Sequence, residues 1–242
     1  PTEFCTERRY FRKSNKGNKM IVTTNLTKCY GELTALSDLN LYIGQGDIFG
    51  FIGPNGAGKT TTMRILATLL EPTGGQAFVD GKNVMTQGRK VRRTVGYMPD
   101  FMGVYDDLKV FEYLEFFAAA FEIPSRQRKG IVEGVLELTD LQGKKAAAVD
   151  SLSRGMQQRL GLARVLIHDP KVLILDEPAS GLDPRARIEI RELLRELKKM
   201  GKTIMISSHI LSELEEICDF VGIIEQGKLV FSGTQEEIWR KL

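Results

Sequence analysis

Gly53-Pro54-Asn55-Gly56-Ala57-Gly58-Lys59-Thr60 reads G-x-x-x-x-G-K-T, set between an apolar run, Asp47 to Ile52, and a stretch of helical periodicity, Lys59 to Leu69. A strand, a glycine loop and a helix in that order form the context in which this pattern cradles phosphate. The glycines let successive backbone N–H groups converge on phosphate oxygens, and the helix N-terminus adds a favourable dipole. Lys59 supplies a positive charge for the β and γ phosphates, Thr60 offers a hydroxyl to Mg²⁺, and Thr61 extends the nucleotide-binding set into the helix. The pattern arises by chance about once in a hundred chains of this length. The loop therefore predicts nucleotide binding.

Outward from the loop, the run Asp47 to Ile52 is apolar nearly throughout, as in a strand covered on both faces. Upstream, the alternating stretches Ile21 to Leu26 and Leu39 to Ile43 read as half-buried strands joined by a turn near Tyr30-Gly31. Downstream, strands are predicted at Gln76 to Val79, Thr94 to Met98, Val172 to Leu175, Thr203 to Ser207 and Val221 to Glu225. Helices are predicted at Pro184 to Met200 and Ser208 to Cys218. Strands alternating with helices predict an α/β fold with a mainly parallel sheet, preceded by an antiparallel β portion. From Val110 to His168 only helical periods occur, so an α-helical subdomain, about 106–168, is expected as an insertion in a domain spanning 20–242.

At 242 residues the chain fits one large domain or one domain with an insertion, against roughly 150 residues per domain. The longest uninterrupted apolar run, Phe116 to Phe121, is far short of the roughly 20 residues of a membrane span. Residues 1–19 carry Arg8, Arg9, Arg12, Lys13, Lys16 and Lys19 with no apolar segment behind them, so they read as a disordered basic extension and not as a secretory signal. A cytoplasmic location is expected. Cys5, Cys29 and Cys218 show no metal-ligand or redox spacing and are read as reduced thiols. A net charge of +3 without a concentrated basic face gives no expectation of a nucleic-acid partner.

Val172-Leu-Ile-Leu-Asp176-Glu177-Pro178 is an apolar strand with two carboxylates at its carboxyl end, where open α/β sheets place their ligands. Beside a triphosphate, paired carboxylates divide the work: Asp176 holds Mg²⁺ through its water shell, and Glu177 orients and deprotonates the attacking water. A GTPase would need an N-K-x-D motif downstream, yet no asparagine follows Asn83. The D-x-x-G match at Asp140 to Gly143 lies in a helical stretch and reads as accidental.

Leu152-Ser153-Arg154-Gly155-Met156-Gln157-Gln158-Arg159 opens a helix capped by Ser153. The ordered set of phosphate loop, this segment, Val172 to Pro178, Ser180-Gly181-Leu182-Asp183 and His209 resembles the ATP-binding cassette family over about Met20 to Leu242. The resemblance implies ATP and Mg²⁺ as cofactors and a head-to-tail pairing with a second such domain. It makes the signature segment Ser153, Arg154, Gly155 and Met156 face the nucleotide of the partner, with Ser153 and Gly155 as ligands of the γ phosphate. It also implies that Tyr30 stacks on adenine, that Asp183 bridges the dimer interface, and that His209 touches the γ phosphate as a catalytic group with Glu177 and Lys59.

Two positions depart from the family pattern. The family usually has glutamine after the strand placed at Thr94 to Met98, where this chain has Asp100 following Pro99. A carboxylate reaches the metal directly or through water, at the expense of added negative charge. The signature reads Ser-Arg-Gly-Met where Ser-Gly-Gly-Gln is commoner, which leaves Arg154 either near the phosphates or facing solvent. These forms resemble the branch of exporters whose ATPase is a separate subunit (the ABC-2 type). The resemblance thus implies an ATP-hydrolysing motor on the cytoplasmic face of the cell membrane, attached to a transmembrane permease. The alternative is a soluble ATPase of the same family in DNA repair or translation, but neither the long heptad insertion of the former nor the double cassette of the latter is visible. Aromatic residues from Phe101 to Phe121 are expected to include the permease docking surface, with Phe101 and Tyr105 as anchors and Tyr113, Phe117 and Phe121 as a core-facing stripe.

Overall fold

The computed structural model describes residues 18–101, 103, 108–214 and 216–240. Residues 1–17 of the basic extension, Tyr105, and residues 106 and 107 of the expected insertion lie outside these described residues. Two sheets organise the chain. The first is antiparallel, with strand order β2 (Leu33–Gly44), β1 (Lys19–Tyr30), β4 (Gly74–Val79), β5 (Lys82–Asn83). Gln76 to Val79 belongs to this sheet, and its alternating burial follows from having only one covered face.

The second sheet has six strands in the order β10 (Lys228–Gly233), β9 (Phe220–Glu225), β3 (Ile48–Ile52), β8 (Thr203–Ser208), β7 (Val172–Leu175), β6 (Val95–Met98). The five from β9 to β6 run parallel, and β10 pairs antiparallel with β9. Every residue of β3, β7 and β8 is buried, which explains the continuous apolar character of β3 and β7. Helices α1 (Lys59–Leu66), α2 (Gly88–Arg92), α3 (Val110–Ala120), α4 (Ser125–Leu138), α5 (Arg154–Leu166), α6 (Pro184–Lys199) and α7 (Gln235–Trp239) complete the order.

Two apolar cores lie on opposite faces of the large sheet. One unites Phe49, Phe51, Ile174 and Met205 with the antiparallel sheet and α1. The other unites Ile48, Leu173, Leu175 and Ile204 with Tyr113 and Leu114 of α3, Leu136 of α4, and Leu160 and Leu162 of α5. The helical insertion therefore shares a core with the sheet, so displacement of one is transmitted to the other through close-packed side chains. Among the described residues no helix is long and apolar enough to cross a membrane.

The helix expected at Ser208 to Cys218 does not form among its described residues: Ser208 ends β8, and beyond it lie a 3₁₀ turn, Leu211–Glu213, and further turns and bends. The apolar spacing of Leu211, Leu214 and Ile217 mimics a helical stripe. The Ser208 hydroxyl, however, accepts the Ile210 N–H at 3.0 Å and donates to Glu213 Oε2 at 2.9 Å, and such local side-chain bonds compete with the helix.

Candidate functional site

Parallel pairing brings four chain segments to one edge of the sheet. Ile52 is level with Ser208, Ile206 with Leu175, and Leu175 with Met98, so the segments that follow β3, β8, β7 and β6 emerge side by side. They carry the phosphate loop, His209, Asp176-Glu177 and Asp100.

The loop depends on glycine at two places where the backbone runs against neighbours. A Cβ on Gly53 would lie 2.2 Å from the Ile224 carbonyl oxygen. Gly58 has φ +109, and a Cβ there would lie 2.7 Å from Ala35 O. Pro54, Asn55, Gly56 and Ala57 close the turn between them, with the Ala57 N–H bonding to Pro54 O at 3.2 Å. Gly58 gives α1 no side-chain cap, and the first turn holds no acidic residue. Helix geometry leaves the first N–H groups of α1, including those of Thr60 and Thr61, without intrahelical acceptors and able to meet an anion.

Lys59 is 6% exposed. Its Nζ donates to Gly53 O at 2.6 Å and Pro54 O at 3.3 Å, and lies 3.4 Å from Glu177 Oε1. Thr60 Oγ1 donates to Asp176 Oδ2 at 2.7 Å, which links the phosphate loop to the end of β7. Glu177 has φ +50, the left-handed region that β-carbon residues adopt at a cost of about 1–3 kcal/mol. This turn sends its carboxylate back across the sheet edge, where Oε1 faces Lys59 and Oε2 meets His209 Nδ1 at 3.0 Å. A carboxylate only accepts, so the imidazole hydrogen resides on Nδ1.

Sequence reasoning missed Ser207, which holds the Asp176 carboxylate and the backbone of Glu177. Its hydroxyl donates to Asp176 Oδ1 at 2.7 Å and accepts the Glu177 N–H at 2.9 Å. The only signal was a serine at the end of an apolar strand, which gains meaning once β7 and β8 are known to pair. Ser207→Ala strands one oxygen of a buried carboxylate and one strained N–H. It is expected to lower stability by about 1–3 kcal/mol in urea denaturation and to reduce turnover with ATP affinity retained.

Asp100 stands beside this group. Burial, and then the negative charges of Asp176 and Glu177, push its carboxyl above the ordinary range, while Arg154 and His209 pull the other way. Tyr30, 47% exposed, closes β1 opposite Leu33, with the Lys28 ammonium 5.1 Å from its ring centroid. Ala35 and Leu36 of the paired strand touch Gly58, which brings this hairpin end alongside the phosphate loop.

The signature segment opens α5. Ser153 caps α5 by accepting the Met156 N–H at 3.4 Å, and Met156 packs on the core. Asp183 caps α6 by accepting the Ala186 N–H at 2.9 Å. The two helix starts are neighbours, since a Cβ on Gly155 would lie 3.0 Å from Ala186 Cβ. Arg154 is exposed, and its guanidinium lies over Gly181, where a Cβ would meet Cζ at 2.4 Å. One chain thus assembles Lys59, Thr60, Asp176, Glu177, His209 and Asp100, with Ser153 and Asp183 capping two neighbouring helix starts.

The sequence profile of the ABC transporter family matches residues 36–180. The chain is 45% identical over 212 residues to the bacitracin transport ATP-binding protein BcrA of Bacillus licheniformis, covering 87% of this chain and 68% of that protein. It is 40% identical over 213 residues to the Nod factor export ATP-binding protein I of Ralstonia nicotianae, covering 88% and 66%. Among solved structures, the dimeric ATP-binding cassette MJ0796, in a post-hydrolysis state with ADP and phosphate, superposes with a TM-score of 0.80 at 26% identity, covering 89% of this chain and 98% of that one. The family profile, the curated relatives and the shared fold agree with the phosphate loop and the paired carboxylates, and this chain belongs to the ABC transporter ATPase family.

Proposed function

We propose that this chain is the ATP-hydrolysing motor subunit of a membrane exporter and works as a head-to-tail pair of copies. The observation that carries the reading is the position of Glu177, with one carboxylate oxygen toward Lys59 and the other bonded to His209. Glu177 accepts the proton of the attacking water. His209 orients that carboxylate and lies at the γ phosphate. Lys59 exchanges carbonyl and carboxylate partners for phosphate oxygens, while Tyr30 stacks on adenine. Ser153 and Gly155 of the second copy, with Asp183 at the interface, complete the site. The relative named for bacitracin transport supports a transport role, and the one named for Nod factor export supports the outward direction. They favour transport over repair or translation. The chain sits on the cytoplasmic face of the membrane through its permease. Phosphate release by the purified chain, lost in Glu177→Gln, tests the reading.

The donor set fits Mg²⁺: a hydroxyl and a carboxylate, Thr60 and Asp176, with the carboxylate of Asp100 nearby, are hard oxygen ligands. Among the described residues no group of three His, Cys, Asp or Glu side chains forms a metal cage. That agrees with a cation held by one or two carboxylates plus substrate phosphates. When bound, Mg²⁺ neutralises charge on the phosphate oxygens. Asp100→Ala is expected to raise the Mg²⁺ concentration for half-maximal hydrolysis about threefold or more, and Asp100→Gln to recover part of it. An unchanged Mg²⁺ dependence in both would make Asp100 a loop residue.

The described aromatics sort into two groups. Tyr113 is fully buried and Phe117 meets it edge-on at 4.9 Å, whereas Phe121, expected on the same core-facing stripe, is 41% exposed at the end of α3 and stacks on His168 at 4.0 Å. Phe101 is 84% exposed and Phe116 is 54% exposed, as anchors for a permease helix should be. Phe101→Glu is expected to leave hydrolysis by the isolated chain nearly intact and to abolish co-purification with the permease. Undiminished assembly would move the docking surface elsewhere.

A further inference from the structure

We propose that Arg187 and Glu213 form a positioning pair that ties the loop 180–183 to the segment carrying His209, so that the two shift as one unit. The inference rests on the reading of Glu177 and His209 given above. Arg187 lies one turn into α6, just after the helix cap at Asp183. Its Nε donates to Leu182 O at 3.0 Å, and its Nη1 lies 3.1 Å from Glu213 Oε1. The second oxygen of Glu213 accepts the Ser208 hydroxyl at 2.9 Å, and the same hydroxyl accepts the Ile210 N–H at 3.0 Å. His209 is the residue enclosed by that bond, and its Nδ1 reaches Glu177. An unbroken chain of contacts, charge-assisted as far as the Ser208 hydroxyl and closed by a neutral bond to the Ile210 N–H, therefore runs from the carbonyl of Leu182 to the backbone on either side of His209.

The same face of α6 carries other ion pairs, but these differ in kind. Glu216, which pairs with Arg191 and Arg195, is 60% exposed, and exposed pairs of this sort contribute little. Glu213 is 10% exposed with both oxygens engaged. The guanidinium fork also matters, because a lysine at position 187 could keep the ion pair or the bond to Leu182 O, but not both in this geometry. A contact in the loop beside Asp183 would thereby alter how His209 meets Glu177.

The test is steady-state hydrolysis and equilibrium ATP binding by the full chain, using Glu213→Gln, Arg187→Gln, their double variant and Arg187→Lys, with His209→Ala as reference. Each Gln variant is expected to lower kcat roughly tenfold and to change ATP affinity less than about twofold, because it misplaces a catalytic group without touching phosphate. The double variant should be no slower than either single one, since both break the same link. Arg187→Lys, the mildest change, should fall between wild type and Arg187→Gln, and it keeps the test open if a Gln variant fails to fold. Unchanged kcat, single effects that multiply in the double variant, or a loss of ATP affinity equal to the loss of kcat would overturn the proposal. If His209→Ala abolishes turnover while the pair variants are silent, the positioning proposal falls alone. If His209→Ala is itself silent, the reading of the site falls with it.

Discussion

Glu177→Gln is expected to bind ATP as the wild type does and to lose turnover by a factor of about a hundred or more, the contribution of a positioned general base. The substitution keeps the shape of the side chain, so the left-handed turn at φ +50 and the bond from its N–H to Ser207 persist. The amide cannot take a proton from water, and it presents no charge to Lys59, 3.4 Å from Oε1 in the wild type. Removing that carboxylate also frees Lys59 from one competitor of the phosphates, so ATP affinity should hold or rise. Equilibrium binding of a fluorescent ATP analogue, read beside phosphate release, separates these effects. Unchanged hydrolysis would remove Glu177 from the mechanism.

Lys59→Ala is expected to act on the other half of the site and to weaken ATP binding by roughly ten- to a hundredfold, as loss of a hydrogen-bonded charge does. Two causes add. The variant loses the cation that meets the phosphates, and it leaves the carbonyls of Gly53 and Pro54 without the ammonium that holds them at 2.6 and 3.3 Å. The loop should therefore lose its shape as well as its charge. The same binding titration checks this, and wild-type affinity in Lys59→Ala would contradict the role given to the phosphate loop.

The contrast between those variants shows what the sequence alone could reveal. Lys59 and Thr60 were legible because their partner chemistry sits within one short motif whose spacing fixes the geometry. Asp176 and Glu177 were legible because a strand end in an α/β fold is a ligand position. Ser207 was hidden, since its contact with Asp176 spans 31 residues and exists only through the pairing of β7 with β8. Arg154 was ambiguous for the same reason, as its resting place on Gly181 is created by two helix starts packing together. The stretch after His209 was misread because its apolar spacing matched a helix, while the deciding contact was a serine hydroxyl bonded to the backbone two residues on. The strand β10 and helix α7 were not anticipated, being short and only partly buried.

Ser153 caps α5 beside the start of α6, and the proposed function has this segment complete the site of a second copy. The most direct test is the mass of Glu177→Gln in solution at saturating ATP, by light scattering or sedimentation. The account predicts a species of two 27.1 kDa chains that retains two ATP molecules and dissociates when Ser153→Glu is added to the same chain. A single chain at saturating ATP, or a pair indifferent to Ser153→Glu, would contradict it.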